Sequence, residues 1–114
     1  VTGSHPSGRL DDLIHQRTRL GIMTVLSEVA NSDFTFLRDT LELSDGNLSR
    51  HLTVLEEAGY VEISKGYRGR RPHTSVTATK TGQKALAEYL TNLQAVINRV
   101  RSPAEAVRAK TTRS

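Results

Sequence analysis

Two groups of side chains between residues 44 and 71 have the types and spacing to act on a polyanion. The first is Asn47, Ser49, Arg50 and Thr53, which fall on one side of a helical repeat whose other side carries Leu48, Leu52 and Leu55. An arginine can donate a bidentate pair to guanine and an asparagine can do the same to adenine, whereas serine and threonine reach phosphate or a thymine methyl. The second group is Lys65, Arg68, Arg70 and Arg71, four cations within seven residues, with Gly66, Tyr67 and Gly69 interleaved. Arginines at such a tip suit a narrow minor groove, and the glycines let the tip fold tightly. Plainer roles stand beside these: capping for Asn47 and Ser49, and for Arg50 a solvated side chain or a pair with Glu57 or Asp45. Gly46 permits close approach of the helix N-terminus to a phosphate, or simply serves the turn. His51, beside the leucine face, reads as a packing or phosphate-contacting residue.

The elements that must position these groups are legible around them. Ser44 suits an N-cap and Gly59 a left-handed C-terminal cap, which predicts a helix of about twelve residues, roughly 18 Å long and able to lie in a major groove. A first helix is expected from Asp11 or Asp12, with Leu13, Ile14, Leu20, Ile22, Met23, Val25, Leu26 and Val29 on a wide apolar face, ending near Asn31-Ser32-Asp33. Phe34-Thr35 could form a very short strand. Thr35 is then placed to cap a second helix with Phe36, Leu37, Leu41 and Leu43 as its stripe, and Leu43-Ser44-Asp45-Gly46 makes the turn into the third. After Gly59 the period changes to two. Tyr60, Val61 and Ile63 form one β-prone run and 74–77 another, joined by a Gly/Arg-rich loop that Pro72 closes. Thr79 or Thr81 can cap a final helix in which Leu86, Leu90, Leu93, Ile97 and Val100 follow steps of four and three, a heptad seam typical of helix pairing. From Ser102-Pro103 the apolar pattern fades into a basic tail.

The 114 residues suffice for one domain with a modest core. The net charge of +4 conceals an asymmetry: residues 1–62 carry five Lys/Arg against ten Asp/Glu, and 63–114 carry eleven against two. A basic half of this kind suits a polyanionic partner. There is no cysteine, hence no disulfide or thiolate metal site, and no apolar run approaches the length of a membrane span. Residues 1–6 lack the apolar core of a signal peptide, so a cytoplasmic location is expected. His5, His15 and His73 are isolated from one another and form no metal-ligand pattern. No phosphate loop or nucleophile motif is present, and the carboxylate pairs Asp11-Asp12 and Glu56-Glu57 are adjacent at helix-surface positions, so no catalytic residues are assigned and a non-enzyme is expected. Lys80 and Lys84 are peripheral phosphate contacts or solvated charges.

The order of helix, helix, third helix, basic hairpin and long final helix resembles a winged helix-turn-helix DNA-binding domain, closest in 48–61, the hairpin, and 77–82 leading into a helix. Over about residues 10–100 the chain is similar to short bacterial MarR-like transcriptional regulators, and the Ser-x-His-Leu-x-x-Leu-x-x-Ala-Gly phrase at 49–59 is shared with ArsR-like repressors. The fold class so implied is mainly α with a small β-hairpin (α+β). Its parts are a disordered segment 1–9, a winged domain 10–79, a dimerisation helix 80–101 and a flexible basic tail 102–114. The resemblance implies a homodimeric regulator of double-stranded DNA, acting as a repressor on an inverted repeat, with no cofactor. Gly46, Asn47, Ser49, Arg50 and Thr53 would read DNA from the third helix, Lys65, Tyr67, Arg68, Arg70 and Arg71 from the wing, and the 86–100 seam would form the dimer. Other readings are a winged helix that meets an acidic protein, and an ArsR-like metal-responsive repressor using histidines and carboxylates. Only about ten residues precede the first helix, where MarR-like proteins have a further helix that helps build the effector pocket, so the resemblance does not carry a small-molecule effector across.

Overall fold

The computed structural model describes residues 5–113, with side chains described as far as Arg101. The expected architecture is present: four helices and a small antiparallel sheet, in the order α1 (Arg17–Val29), β1 (Asn31–Asp33), α2 (Phe34–Thr40), α3 (Asp45–Glu57), β2 (Val61–Arg68), β3 (Arg71–Ala78) and α4 (Lys80–Arg113). The sheet order is β1-β3-β2. One core joins all layers, with Ile22 and Leu26 from α1, Leu37 from α2, Leu48, Leu52 and Leu55 from α3, Val61 and Val76 from the sheet, and Leu86 and Tyr89 from α4.

The first helix begins at Arg17 rather than at Asp11 or Asp12. Asp11 instead closes a separate turn, its Oδ1 accepting the backbone N–H of Leu13 at 2.8 Å and of Ile14 at 3.3 Å, and Gln16 caps α1 by accepting from the Arg19 N–H. Ile14 is nevertheless fully buried, so its apolar character reported the core correctly and the helix incorrectly. The Tyr60 hydroxyl donates to the other Asp11 oxygen, and that bond, with burial and the carboxylate charge, pushes the phenol up to about 12. This ties the start of the chain to the joint between α3 and β2.

The short strand lies at Asn31–Asp33, not at Phe34-Thr35, and α2 starts at Phe34, so Thr35 sits inside the helix instead of capping it. Glu42 takes a left-handed φ of 55° between α2 and α3, so the turn runs from Leu41 to Ser44 rather than over Leu43-Ser44-Asp45-Gly46, and Asp45 and Gly46 are the first residues of α3, as a Ser44 cap implies. Ser44 caps α3 by accepting from the Asn47 N–H at 3.2 Å, and Gly59 is left-handed at φ 80° just beyond its end.

The hairpin is longer than the β-prone runs suggested. β2 and β3 stay paired from Val61↔Ala78 to Arg68↔Arg71, leaving Gly69-Arg70 as a two-residue turn with φ 66° at the glycine. A positive φ at the first central residue matches the twist of a hairpin, and a glycine supplies it without steric penalty. Pro72 is tolerated because β1 pairs with β3 only at 75–77 and does not reach it.

Thr79, not Thr81, caps α4: its Oγ1 accepts from the Gly82 N–H at 3.0 Å while donating to the Gly59 carbonyl at 2.6 Å. The backbone of α4 stays helical to Arg113, past the expected end at 101. Residue 114 and the side chains of 102–113, the expected flexible tail, lie outside the described residues. Residues 1–4 of the expected disordered segment do too, and of that segment the structure describes 5–9. Pro6–Arg9 forms a 3-10 turn with Pro6 buried, and the Arg9 carbonyl accepts from Asn92 of α4 at 3.2 Å.

Candidate nucleic-acid interface

The leucine face of α3 is buried and its opposite face is open. Leu48, Leu52 and Leu55 are buried, whereas Ser49, Arg50 and Thr53 are exposed and Asn47 is half-buried. Arg50 donates to the Asn47 amide oxygen at 2.6 Å, so the two residues with base-reading chemistry are already joined on one turn. The Thr53 hydroxyl donates to the Ser49 carbonyl at 2.9 Å. A Cβ at Gly46 would meet nothing within 4 Å, and its φ is not left-handed, so turn geometry does not require glycine there.

Strand alternation divides the wing between two faces. Lys65 and Tyr67 share the face of Val61 and Ile63, opposite Thr74 and Pro72. Ile63, Lys65 and Thr74 from the hairpin and Asp45, Ser49, Leu52, Thr53 and Glu56 from α3 line an open groove of about 690 Å³, to which Phe34 also contributes. Arg68 and Arg71 belong to the other face, with His73, and Arg70 sits in the turn. All five wing residues are exposed, Tyr67 at 77%. The wing is therefore not a uniform cationic loop: Lys65 faces the third helix, and Arg68 turns back so that its Nη1 lies 3.7 Å from Asp33.

A family profile described as a winged helix DNA-binding domain matches residues 18–97. The chain belongs to this winged helix DNA-binding family. An uncharacterised protein of Methanocaldococcus jannaschii is 36% identical to it over 72 residues, covering 63% of this chain and 78% of that one. Among solved structures, a transcriptional regulator homologue from Pyrococcus horikoshii OT3 is 34% identical with a TM-score of 0.73, covering 77% of this chain and 87% of that one. A PadR family transcriptional regulator from Eggerthella lenta DSM 2243 shares the fold at 21% identity and a TM-score of 0.63, over 78% of this chain and 84% of that one. Matched family and shared fold make this winged helix a DNA-binding domain of the kind found in transcriptional regulators.

Several residues of the winged helix have partners that a linear reading does not identify. His51 is buried on α3 and its Nδ1 accepts from Arg19 Nη1 at 3.1 Å, while Arg19 Nε donates to the Leu13 carbonyl. Burial, then the Arg19 charge, then the Arg50 charge push His51 below the ordinary histidine value, so its role is to pin α3 to α1 as a neutral acceptor. Arg38 bridges Asp39 and Asp45 at 2.9 Å each, fastening α2 to the first residue of α3, and those bonds raise its guanidinium above the ordinary value. Asp45 is thus engaged by Arg38, and Arg50 bonds to Asn47 rather than to Asp45 or Glu57. His15 bonds to the Tyr89 hydroxyl at 2.8 Å and His73 to Asp33 at 2.8 Å, so each ring, isolated in sequence, has a partner far along the chain. Among the described residues, no group of three or more His, Asp or Glu side chains could hold a metal ion. No helix among them is long and apolar enough to cross a membrane.

The seam on α4 also divides. Leu86 is buried and Leu93 packs against the core of its own domain, joined by Tyr89, which the heptad reading passed over. Leu90, Ile97 and Val100 remain exposed at 46%, 41% and 78%.

Proposed function

We propose that the protein is a sequence-specific transcriptional regulator that binds double-stranded DNA as a homodimer and represses by occupying an inverted repeat within a promoter. The observation that carries the reading is the exposed face of Ser49, Arg50 and Thr53 on a helix whose other face is fixed in the core, next to a hairpin bearing four cations. In this reading Arg50 and Asn47 supply base-edge contacts, and the Thr53 methyl, its hydroxyl engaged within the helix, meets a thymine methyl. Gly46 and Ser49 approach phosphate at the helix N-terminus, and Lys65, Tyr67, Arg68, Arg70 and Arg71 follow the backbone or the minor groove from the wing. Leu90, Ile97 and Val100 form the dimer contact, because three large exposed apolar side chains on one helix favour a second copy. Two recognition helices would then address half-sites roughly 34–36 Å apart. This reading makes the protein a short MarR-like regulator that acts in the cytoplasm without catalysis and without a bound cofactor.

Titration of fluorescent duplexes from the upstream region of its own gene, repeated as salt is raised, tests this reading. The log of the affinity should fall linearly with the log of salt, by about 0.9 for each phosphate neutralised. Absence of duplex binding at micromolar protein and low salt would exclude DNA as the partner and favour an acidic protein.

A further inference from the structure

On the back of the wing, away from the recognition helix, three residues from three strands meet. Asp33 of β1 accepts from His73 Nε2 of β3 at 2.8 Å through Oδ1, and its Oδ2 faces Arg68 Nη1 of β2 at 3.7 Å. The register accounts for the meeting. Asp33 pairs with Ser75, Gly66 with His73 and Arg68 with Arg71, so strand alternation puts Asp33, His73, Arg68 and Arg71 on one face. Gly66 leaves the cross-strand position beside the ring without a side chain. Asp33 also occupies the N-cap position of α2 but makes no side-chain cap bond, so its carboxylate serves the wing instead of its helix. An aspartate at that position ordinarily caps.

We propose that Asp33 and His73 are positioning residues for Arg68, holding this wing arginine against the sheet while His73 is neutral and releasing it toward a DNA phosphate when His73 takes up a proton. The proposal rests on the DNA-binding reading and adds a control to it. With His73 neutral, Nε2–H donates to Asp33, which keeps its full negative charge for Arg68. A proton from solvent added at Nδ1 makes the Asp33–His73 pair neutral overall and sets Arg68 beside a second cation. An imidazole is the side chain whose charge changes between about pH 5 and pH 8.

The charged groups around His73 support that direction. β1 contributes Asp33, β2 contributes Arg68 with Glu62 at the far end of the face opposite Thr77, and β3 itself contributes Arg71. From α2 the charged residues are Arg38 and Asp39, which are bonded to each other, with Arg38 also holding Asp45. Asp33 is thus the carboxylate bonded to the ring, and Arg68, at 72% exposure, is the cation with the freedom to leave.

The test measures duplex affinity at low ionic strength from about pH 8 to about pH 5.5 for the wild type, His73→Gln, Arg68→Ala and Asp33→Asn. An exposed pair of this kind is weak, so the wild type should tighten on acidification by about two- to fivefold more than His73→Gln. Arg68→Ala should abolish that excess, and Asp33→Asn should already bind at pH 8 with the acid-level advantage. If the excess persists in Arg68→Ala, His73 acts simply as an added cation and the proposal is overturned; absence of any excess in the wild type overturns it as well. A readout without DNA separates this from the underlying reading: in the free protein the Arg68 Nε–H resonance should follow the His73 titration in the wild type and not in Asp33→Asn. That coupling in a protein that binds no duplex would sink the DNA reading and leave the positioning intact. An Arg68 resonance indifferent to His73 would sink the positioning even if DNA binds.

Discussion

Replacing Gly82 by alanine is expected to destabilise the fold, against the usual preference of helices for alanine. A Cβ built at Gly82 would lie 2.1 Å from the Tyr60 carbonyl oxygen, 2.9 Å from its carbon and 3.0 Å from the Tyr60 Cα. Carbon–oxygen contacts ordinarily begin near 3.3 Å, so about 1 Å of room is missing, and the obstacle is backbone rather than a side chain that can rotate away. That backbone is held: the Tyr60 carbonyl accepts from the Thr79 N–H at 3.0 Å, and the Tyr60 N–H donates to Leu55 at 2.9 Å. Thr79 Oγ1 meanwhile links Gly59 to the Gly82 N–H. Overpacking of this kind costs about 1–3 kcal/mol, and loosening one of those hydrogen bonds adds about 1. The helix preference of alanine returns about 1 kcal/mol, for a net loss of about 1–3. At roughly 4–8 °C per kcal/mol for a domain near this size, thermal unfolding followed by circular dichroism should show a fall in Tm of at least about 4 °C. Gly46→Ala is the control, since that position also lies in a first helical turn but meets nothing within 4 Å, and it should be neutral or stabilising. A Gly82→Ala protein that melts at or above the wild type would refute the packing of α4 against the α3–β2 joint.

Arg50→Ala should weaken specific binding by about 1–3 kcal/mol and relax preference at one base pair per half-site, whereas equal losses on specific and random duplexes would make Arg50 a phosphate contact. Arg68, Arg70 and Arg71 replaced together by alanine should weaken binding on all sequences and flatten its salt dependence; an unchanged salt slope counts against wing contact. Leu90→Glu with Ile97→Glu should give a folded monomer that binds weakly, because both side chains are exposed in the single chain, and sedimentation of the wild type as a monomer at micromolar concentration would remove the dimer from the account. Because His51 is held below the ordinary histidine value, the unfolded chain takes up its proton at higher pH than the folded one. That contribution to stability is complete above about pH 6.5 and is lost as pH falls toward the folded value, so denaturant midpoints at descending pH should drop more steeply for the wild type than for His51→Gln.

What could be read in advance was what local chemistry determines. Ser44, the leucines at 48, 52 and 55, and Gly59 lie within one helix length and define α3 together, and the structure reproduces each role. The start of α1 is not legible at Asp11 because this residue, a good helix-start type, gives its carboxylate to a turn and to Tyr60, a partner 49 residues away. The wing strands outrun the β-prone runs because cross-strand pairing extends the ladder through Gly66 and Pro72, residue types depleted in strands. The heptad on α4 is visible in the sequence and Leu86 is readily placed in its own core, but Leu93 also packs on its own domain, next to Tyr89, a core residue one turn earlier that lies outside the seam. Arg19–His51 and Asp33–His73 join residues 32 and 40 positions apart, and no local periodicity marks such pairs.

Selection of bound duplexes from a random pool tests the central claim most directly, because it asks in one step whether the protein binds DNA and whether it reads sequence. The account predicts enrichment of an inverted repeat whose half-sites are centred about one helical turn apart, with one base pair per half-site losing its preference in the Arg50→Ala protein. Recovery of a pool no different from its input would contradict it.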